Sequence, residues 1–493
     1  MATKTTKAAP KAAKTKKKDE KKIKNAWLKY NASQLKELES LNDEYIDFIS
    51  ECKTERECTD KIVEMAKKLG YKDINSVKKT KAGDKLYAVN KGKAIVLFLV
   101  GSEPLEKGMK ILGPHIDSPR LDIKQNPLYE DTELALLDTH YYGGIKKYQY
   151  VTLPLAIHGV VVKKSGETVI LNIGEDEDDP VFFIPDLLPH LAQDQMKKNA
   201  SAFIEGEALD LIIGNKPVTI DTDTKAGREG KKAAEKDAVT NALLKILKDT
   251  YDIDEEDFIS AEIEIVPAGK ARDAGFDRSM VLAYGQDDRV CAYPSFRAQM
   301  EVTDIARTSC TLLVDKEEIG SVGATGMRSR FFENTLAEVM ELCGQYSGLA
   351  LRRTLANSAM LSSDVSSAFD PAYASAFEKK NTAFLGRGMV LNKFTGSRGK
   401  SGSNDANAEY LAALRKIFDE SEVLVQTAEL GKVDLGGGGT IAYILALYGM
   451  NVIDCGVPVL SMHAPWEATS KADLFEAYRG YKAFLRKMDL RTM

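Results

Sequence analysis

The chain has 493 residues, 44% hydrophobic and 29% charged, the composition of a soluble globular protein with room for two or three domains. A net charge of -5 excludes a global basic field for nucleic acid, and six scattered cysteines without a CxxC pair exclude a thiolate zinc finger or a disulfide framework and fit a reducing, cytoplasmic compartment. The longest clean apolar run, residues 441–448, is far below the roughly 20 residues that span a bilayer, so no membrane partner is expected.

Residues 1–24 stand apart, with ten Lys and two acids, and the rest of the chain then carries -13. Such a segment buries too little apolar surface to fold and has no apolar stretch for a secretory signal. It is expected to be a disordered tail, with RNA or an anionic surface as the minor reading. Order is expected from about Ala26. Leu38, Leu41 and Tyr45 recur at helical spacing. Residues 54–57 (TERE) form a capping-box pattern, followed by a stripe of Ile62, Ala66 and Leu69, with Gly70 as a stop. Residues 93–100 read as a buried strand. A second strand, residues 111–113, runs into Pro114-His115-Ile116-Asp117.

From about residue 126 to 275 the texture changes to short alternating runs, such as 160–162, 168–171 and 261–265, broken by an acidic turn at 174–180 and a charged stretch at 222–236. This reads as a β-rich inserted module with one or two helices, one marked by Leu243, Leu244 and Leu247. α/β texture returns after Met280. Residues 310–314 read as a strand ending in Asp315-Lys316-Glu317-Glu318, 332–342 as a helix, 440–448 as an apolar helix and 451–454 as a strand. The predicted fold is α/β: a catalytic domain with a central mixed β-sheet flanked by helices (25–125 and 276–493), interrupted by the β-rich module 126–275.

Only five histidines occur, at 115, 140, 158, 190 and 463. On a strand His115 and Asp117 share a face, and an imidazole beside a carboxylate is the pairing that orients a metal ligand. Asp287-Asp288, Glu317-Glu318, Asp364 and His463 fall at loops or at the ends of apolar runs. Open α/β sheets place their sites at such strand ends. Each of these alone reads as well as a solvated loop, a helix cap or a rim histidine. Together they are a nitrogen and oxygen ligand set suited to a pair of borderline-hard divalent ions, zinc first, with cobalt or manganese as alternatives. Rival signatures fail: Gly399-Lys400-Ser401 lacks the first glycine of a P-loop, the four glycines 436–439 do not form GxGxxG, and neither GxSxG nor HExxH occurs.

The ordered set of residues 113–119 (GPHIDSP), 286–289 (QDDR), 315–321 (DKEEIGS), 362–371 (SSDVSSAFDP) and 460–463 (LSMH) resembles the aspartyl aminopeptidase and vacuolar aminopeptidase I family of dinuclear zinc exopeptidases. The resemblance runs from about residue 25 to the C-terminus and includes the long insertion. It implies a dimerisation role for the inserted module and a dodecamer built from dimers. It implies that His115 binds one metal and Asp117 orients it, that Asp288 bridges both ions, that Glu318 and His463 complete one site and Asp364 the other, and that Glu317 is the general base. It further implies that His190, in residues 184–190 (IPDLLPH), contacts substrate in a neighbouring subunit. The reaction implied is removal of the N-terminal residue from peptides. A related deacylase or carboxypeptidase, or a catalytically silent assembly protein on the same scaffold, remains open on the residues alone. Lys393, Arg398 and Lys400 are offered to an acidic substrate side chain, or else are loop charges or interface contacts. The 436–439 loop, with Gly437 and Gly438, is offered to the substrate backbone, or else is a tight helix entry.

Overall fold

The computed structural model describes residues 25–217 and 237–490; segment 1–24 and the charged stretch 222–236 lie outside the described residues. Four short strands, Ser309–Leu313, Lys110–Gly113, Ala359–Ser362 and Asn451–Gly456, are neighbours in that order and all parallel. They form the centre of a nine-stranded mixed sheet. Ala94–Leu99 flanks them antiparallel on one side and Met389–Asn392 on the other.

Ala94–Leu99 is buried throughout, as the run 93–100 predicts. Ile95, Leu97 and Leu99 enter one apolar cluster, and Val96 and Phe98 enter another. Successive side chains leave a strand on opposite faces, so both faces of this sheet carry helices. One layer holds Ala32–Glu51, Gln286–Glu301 and Lys471–Lys487. The other holds Phe331–Leu342 and Gly348–Ala356. The consequence for function is positional. With both faces covered, only the strand ends are free to carry chemistry.

The pattern at 54–57 is a capping box. The Thr54 hydroxyl accepts from the Glu57 N–H at 3.2 Å, and helix Glu55–Lys68 follows. Ile62 and Ala66 are buried, but Leu69 lies one residue past the helix and is 44% exposed. The apolar run 440–448 yields only a five-residue helix, Ala442–Ala446. Gly449, with φ 86°, turns the chain into the next strand and cuts the helix short.

A six-stranded sheet, entirely antiparallel, is built from Thr168–Ile173, Leu155–Val162, Ala261–Pro267, Arg120–Asp131, Leu134–Tyr142 and Leu211–Gly214, in that spatial order. Helix Ala238–Tyr251 packs on it, with Leu243 against Gly214. This sheet starts at Arg120, six residues before the compositional change at 126. Its first strand continues directly from the His115–Asp117 loop, so no break in texture marks the join. Arg272–Ala274 belongs instead to a third sheet of five short strands, with Met280–Ala283, Glu467–Ser470, Pro458–Leu460 and Ser366–Ser367. All six cysteines are free. No helix among the described residues is long and apolar enough to cross a membrane.

Candidate metal centre

The four parallel strands end together, and their carboxyl ends deliver the site. Lys110–Gly113 leads to His115 and Asp117, and Ser309–Leu313 leads to Glu317 and Glu318. Ala359–Ser362 leads to Asp364, and Asn451–Gly456 leads through Pro458–Leu460 to His463. His115 and Val314 form a parallel bridge that fixes two of these ends to each other. Asp287 and Asp288 come from the start of helix Gln286–Glu301. Five distant stretches thus meet in one place.

His115 is fully buried, with Nδ1 3.2 Å from Asp117 Oδ1 and Nε2 3.2 Å from Asp287 Oδ1. Asp287 Oδ2 lies 3.2 Å from His463 Nε2, and Glu318 Oε2 lies 3.5 Å from the same nitrogen. The carboxylate between the two imidazoles is therefore that of Asp287. The resemblance implies Asp288 for the bridging role, and of the two adjacent acids it is Asp287 that stands between the imidazoles. Two adjacent acids look alike in the sequence, and only the backbone turn decides which faces both histidines. The Asp288 carboxylate instead accepts from the His115 N–H at 3.2 Å and faces Asp364 and His115.

Asp117 accepts from His115 Nδ1, from the N–H groups of Glu317 and Glu318 at 3.1 and 3.2 Å, and from the Tyr142 hydroxyl at 2.9 Å. It has no donor capacity when ionised, and these contacts use its acceptor sites. Two residues outside the predicted set also hold the site. The buried Glu467 accepts from the N–H of Asp287 at 3.0 Å and of His463 at 2.7 Å. The Gly144 carbonyl accepts from His463 Nδ1 at 2.9 Å. Their sequence signals are faint: a Glu four residues after His463, and a Tyr-Gly-Gly at the end of an alternating strand.

The donor set fits divalent metal. Three groups, His115–Asp288–Asp364, His115–Glu317–Glu318 and Asp287–Glu318–His463, each keep their ligand atoms within 4.8 Å. His115 Nε2, Asp287 Oδ1, Asp288 Oδ1 and Glu318 Oε1 are buried without a hydrogen-bond partner, a situation that costs free energy unless a cation completes it. Imidazole and carboxylate with no thiolate suit zinc, cobalt or manganese. The protonation pattern agrees. Burial, with Asp287's charge beside it, pushes Glu318 well above the usual carboxylate range, and burial with the charge of Asp288 does the same to Asp364. Burial, opposed by His115 and assisted by Asp117 and Asp287, lifts Glu317 to about 7. Burial alone would lower His463, but its hydrogen bond to Asp287 and the charge of Glu318 raise it to about 10. Carboxyls that hold protons against one another are groups a divalent cation deprotonates on binding.

The remaining predicted residues are not members of the three ligand groups. His190 is exposed on the six-stranded module. Lys393 and Lys400 both pair with Asp405, at 2.6 and 2.8 Å, and Lys400 lies over the Phe394 ring. Both ion pairs are at the surface, with side chains 42–44% exposed. Arg398 is exposed on the turn between them, with φ 45°. Gly437 packs directly on that turn: a Cβ there would come within 2.6 Å of the Gly396 carbonyl oxygen and 2.7 Å of Ser397 Cα. Its φ of 106° also demands glycine. A Cβ on Gly438 would stand 3.3 Å from Leu430. The glycine loop and the 393–400 segment are thus neighbours, and glycine is required at 437 by loop packing.

Comparisons with known proteins agree with the geometry. Residues 48–485 match the model of the aminopeptidase I zinc metalloprotease (M18) family. A probable M18 family aminopeptidase 1 of Clostridium acetobutylicum is 61% identical over 469 residues, covering 94% of this chain and 98% of the relative. The crystal structure of an M18 aminopeptidase from Thermotoga maritima superposes with a TM-score of 0.88 at 43% identity, covering 94% of this chain and 99% of that one. A structure described as a dodecamer, from S. cerevisiae, shares the fold with a TM-score of 0.72 at 20% identity, covering 91% of this chain and 97% of that one. The site lies at the ends of the parallel strands and the family match spans nearly the whole described chain; the protein belongs to the M18 family of aminopeptidase I zinc metalloproteases.

Proposed function

We propose that this chain removes the N-terminal residue from peptides at a dinuclear centre, with Asp287 between the two ions. In this reading His115 and Asp364 hold one ion, Glu318 and His463 hold the other, and Glu317 is the general base. The observation that carries it is the Asp287 carboxylate set between two imidazoles, with one oxygen 3.2 Å from each. Zinc is the first expectation for both ions, with cobalt or manganese able to replace it. Divalent ions bound there polarise a carbonyl and lower the pKa of water.

The protein's own residues do the rest. Glu317, whose N–H is held by Asp117, is the carboxylate left to accept a proton from water and release it to the leaving amine. Asp117 sets the Nδ1–H tautomer of His115 and leaves Nε2 as the free lone pair. It also holds the backbone of Glu317 and Glu318 in register with that ring. Substrate is a peptide with a free N-terminus.

His190 is assigned to substrate contact in a second copy of the chain. Its surroundings support this: Leu187, Leu188, Leu191 and Met196 expose between 52% and 69% of their surface in the single chain, an apolar patch that asks for a cover. Homo-oligomerisation, up to a dodecamer built from dimers, belongs to the same reading, with the six-stranded module as the dimer contact.

The test is turnover of aminoacyl-anilides against N-acyl amino acids, each with zinc, cobalt and manganese. Free-amine substrates alone should turn over, and preference for the acylated series would replace the reading with a deacylase. Glu317→Gln should retain both ions by elemental analysis while kcat falls by about 10²–10⁴, the loss typical of a general base. Near-full activity in that variant would remove Glu317 from the role.

A further inference from the structure

The site is walled on one side by a turn that the six-stranded module contributes. Strand Leu134–Tyr142 ends at Tyr142, and Gly143 and Gly144 follow. Each of these three consecutive residues meets a different part of the metal centre. The Tyr142 hydroxyl donates to Asp117 Oδ2 at 2.9 Å. Gly143, at φ 74°, lies so close to Glu318 that an added Cβ would stand 3.3 Å from the Glu318 Cβ. The Gly144 carbonyl takes the Nδ1–H of His463 at 2.9 Å.

These contacts are not interchangeable with solvent. Tyr142 is buried, and its ring is pinned by the Arg120 guanidinium 4.0 Å from the centroid. Arg120 is held in turn by Glu55, Asp122 and Glu264. The hydroxyl is thus aimed by a buried ion network outside the metal centre. Asp117 has its other contacts with His115, Glu317 and Glu318, so Tyr142 is the donor that completes its shell from the module side. On the far side, a carbonyl on Nδ1 obliges His463 to carry its proton there and to present Nε2 to Asp287 and Glu318.

We propose that Tyr142 is a positioning residue for the His115 ion, and that the Tyr142–Gly144 turn makes metal affinity depend on the six-stranded module as well as on the catalytic sheet. The inference rests on the dinuclear reading above. Outer contacts of this kind alter metal affinity by about 10–100-fold when removed. Removing the Tyr142 hydroxyl should leave Asp117 with only His115 and the Glu317 and Glu318 N–H groups, loosen the His115 ring and weaken the ion there more than the one held by Glu318 and His463.

The experiment is zinc competition against a chromophoric chelator with the full chain, wild type beside Tyr142→Phe and Tyr129→Phe. Tyr142→Phe keeps the ring on Arg120 and deletes only the O–H. Tyr129 sits on the same sheet and its hydroxyl bonds the half-buried Asp210 instead. The expected result is two ions in the wild type and in Tyr129→Phe. In Tyr142→Phe one of the two should bind about 10–100-fold more weakly, with the thermal midpoint of the zinc-free chain little moved, and with kcat reduced at subsaturating zinc and KM unchanged. Unaltered zinc affinity in Tyr142→Phe, or an equal loss in Tyr129→Phe, overturns the positioning role. A wild-type chain that binds no zinc pair overturns the dinuclear reading itself, which separates the two failures.

Discussion

Two buried charge clusters share helix Gln286–Glu301, and they are built on opposite principles. At the seam between the catalytic layer and the six-stranded module, Lys53 reaches Glu175 at 2.5 Å and the carbonyls of Pro267 and Gly269 at 2.7 and 2.9 Å. His158 lies between Glu57 and Glu175 at 2.8 and 3.0 Å, and Arg120 gathers Glu55, Asp122 and Glu264. Arg289 adds another buried cation, with its guanidinium on the Lys53 carbonyl. Beside each acid stands a protein cation. At the strand ends the balance differs. Asp117, Asp287, Asp288, Glu317, Glu318, Asp364 and Glu467 crowd around just two imidazoles. Buried charge must be compensated. The seam compensates itself, whereas the strand-end cluster requires cations from outside. A count of acids does not separate the two, but the supply of basic side chains does.

The largest effect should come from breaking the carboxylate that serves both imidazoles. On the dinuclear reading proposed above, Asp287→Asn is expected to reduce the metal content from two ions per chain toward none and to abolish hydrolysis. Asp288→Asn should keep the Glu318–His463 ion. Elemental analysis of the two variants side by side checks this. Equal loss in both would mean that the adjacent acids act as one unit and that the one-residue distinction has no consequence.

The seam should break differently. Lys53 is 2% exposed, and replacing it with Met leaves Glu175 without its ammonium partner. Removing one member of a buried pair destabilises by about 3–5 kcal/mol, to be read as a shift in the denaturant midpoint. Zinc content per folded chain should stay at the wild-type value. Loss of zinc together with stability would show that the two clusters are one.

How much of this was legible beforehand follows from the range of each signal. The capping box at Thr54 is local, four residues long, and reads correctly because its hydrogen bonds close within one turn. The buried strand Ala94–Leu99 and the acids at strand ends read correctly for a related reason: an apolar run that stops at charges marks where a covered sheet opens. Asp287 against Asp288 could not be read, because their environments differ only after the chain folds. Tyr142 and Glu467 could not be read either. The partner of Tyr142 is 25 residues away and that of one Glu467 oxygen is 180 away, and a lone Tyr or Glu carries no periodicity. The start of the six-stranded sheet at Arg120 was hidden because the strand runs on from the site loop without a turn. Lys393 and Lys400 read either as partners for an acidic substrate side chain or as loop charges. Their partner Asp405 was not legible, since a salt bridge across a loop has no fixed spacing.

Glu467 gives an effect of intermediate size that sharpens the contrast. It holds the backbones of Asp287 and His463 together and offers no atom to the metal groups. Glu467→Gln keeps one acceptor oxygen and replaces the other with a donor that faces an N–H. Zinc affinity should fall by about 10–100-fold, and the loss should be partly offset by excess zinc in the assay. Wild-type affinity in this variant would show that the third sheet alone fixes the two loops.

The smallest effect is the pH response of the seam. Burial alone would lower His158, but its hydrogen bonds to Glu175 and Glu57 outweigh this and raise it above the ordinary 6.5. A group whose folded pKa is raised contributes stability that is complete below the unfolded value, about 6.5, and declines as pH rises through the folded one. Against burial, the hydrogen bond from His158 holds Glu57 and Glu175 below their usual range, with Lys53 adding to the effect on Glu175. Their contribution is therefore complete above about 4.5 and declines only in stronger acid. The pin formed by His158, Glu57, Glu175 and Lys53 should be tightest between those limits. Denaturant midpoints of wild type and His158→Asn at pH 6 and pH 9, with zinc saturating, compare the pin with and without its imidazole. The wild-type advantage should be present at pH 6 and smaller at pH 9. An advantage that holds constant across that range would mean that the imidazole stays neutral between its two carboxylates, and the seam would then lack one of the cations that set it apart from the metal centre.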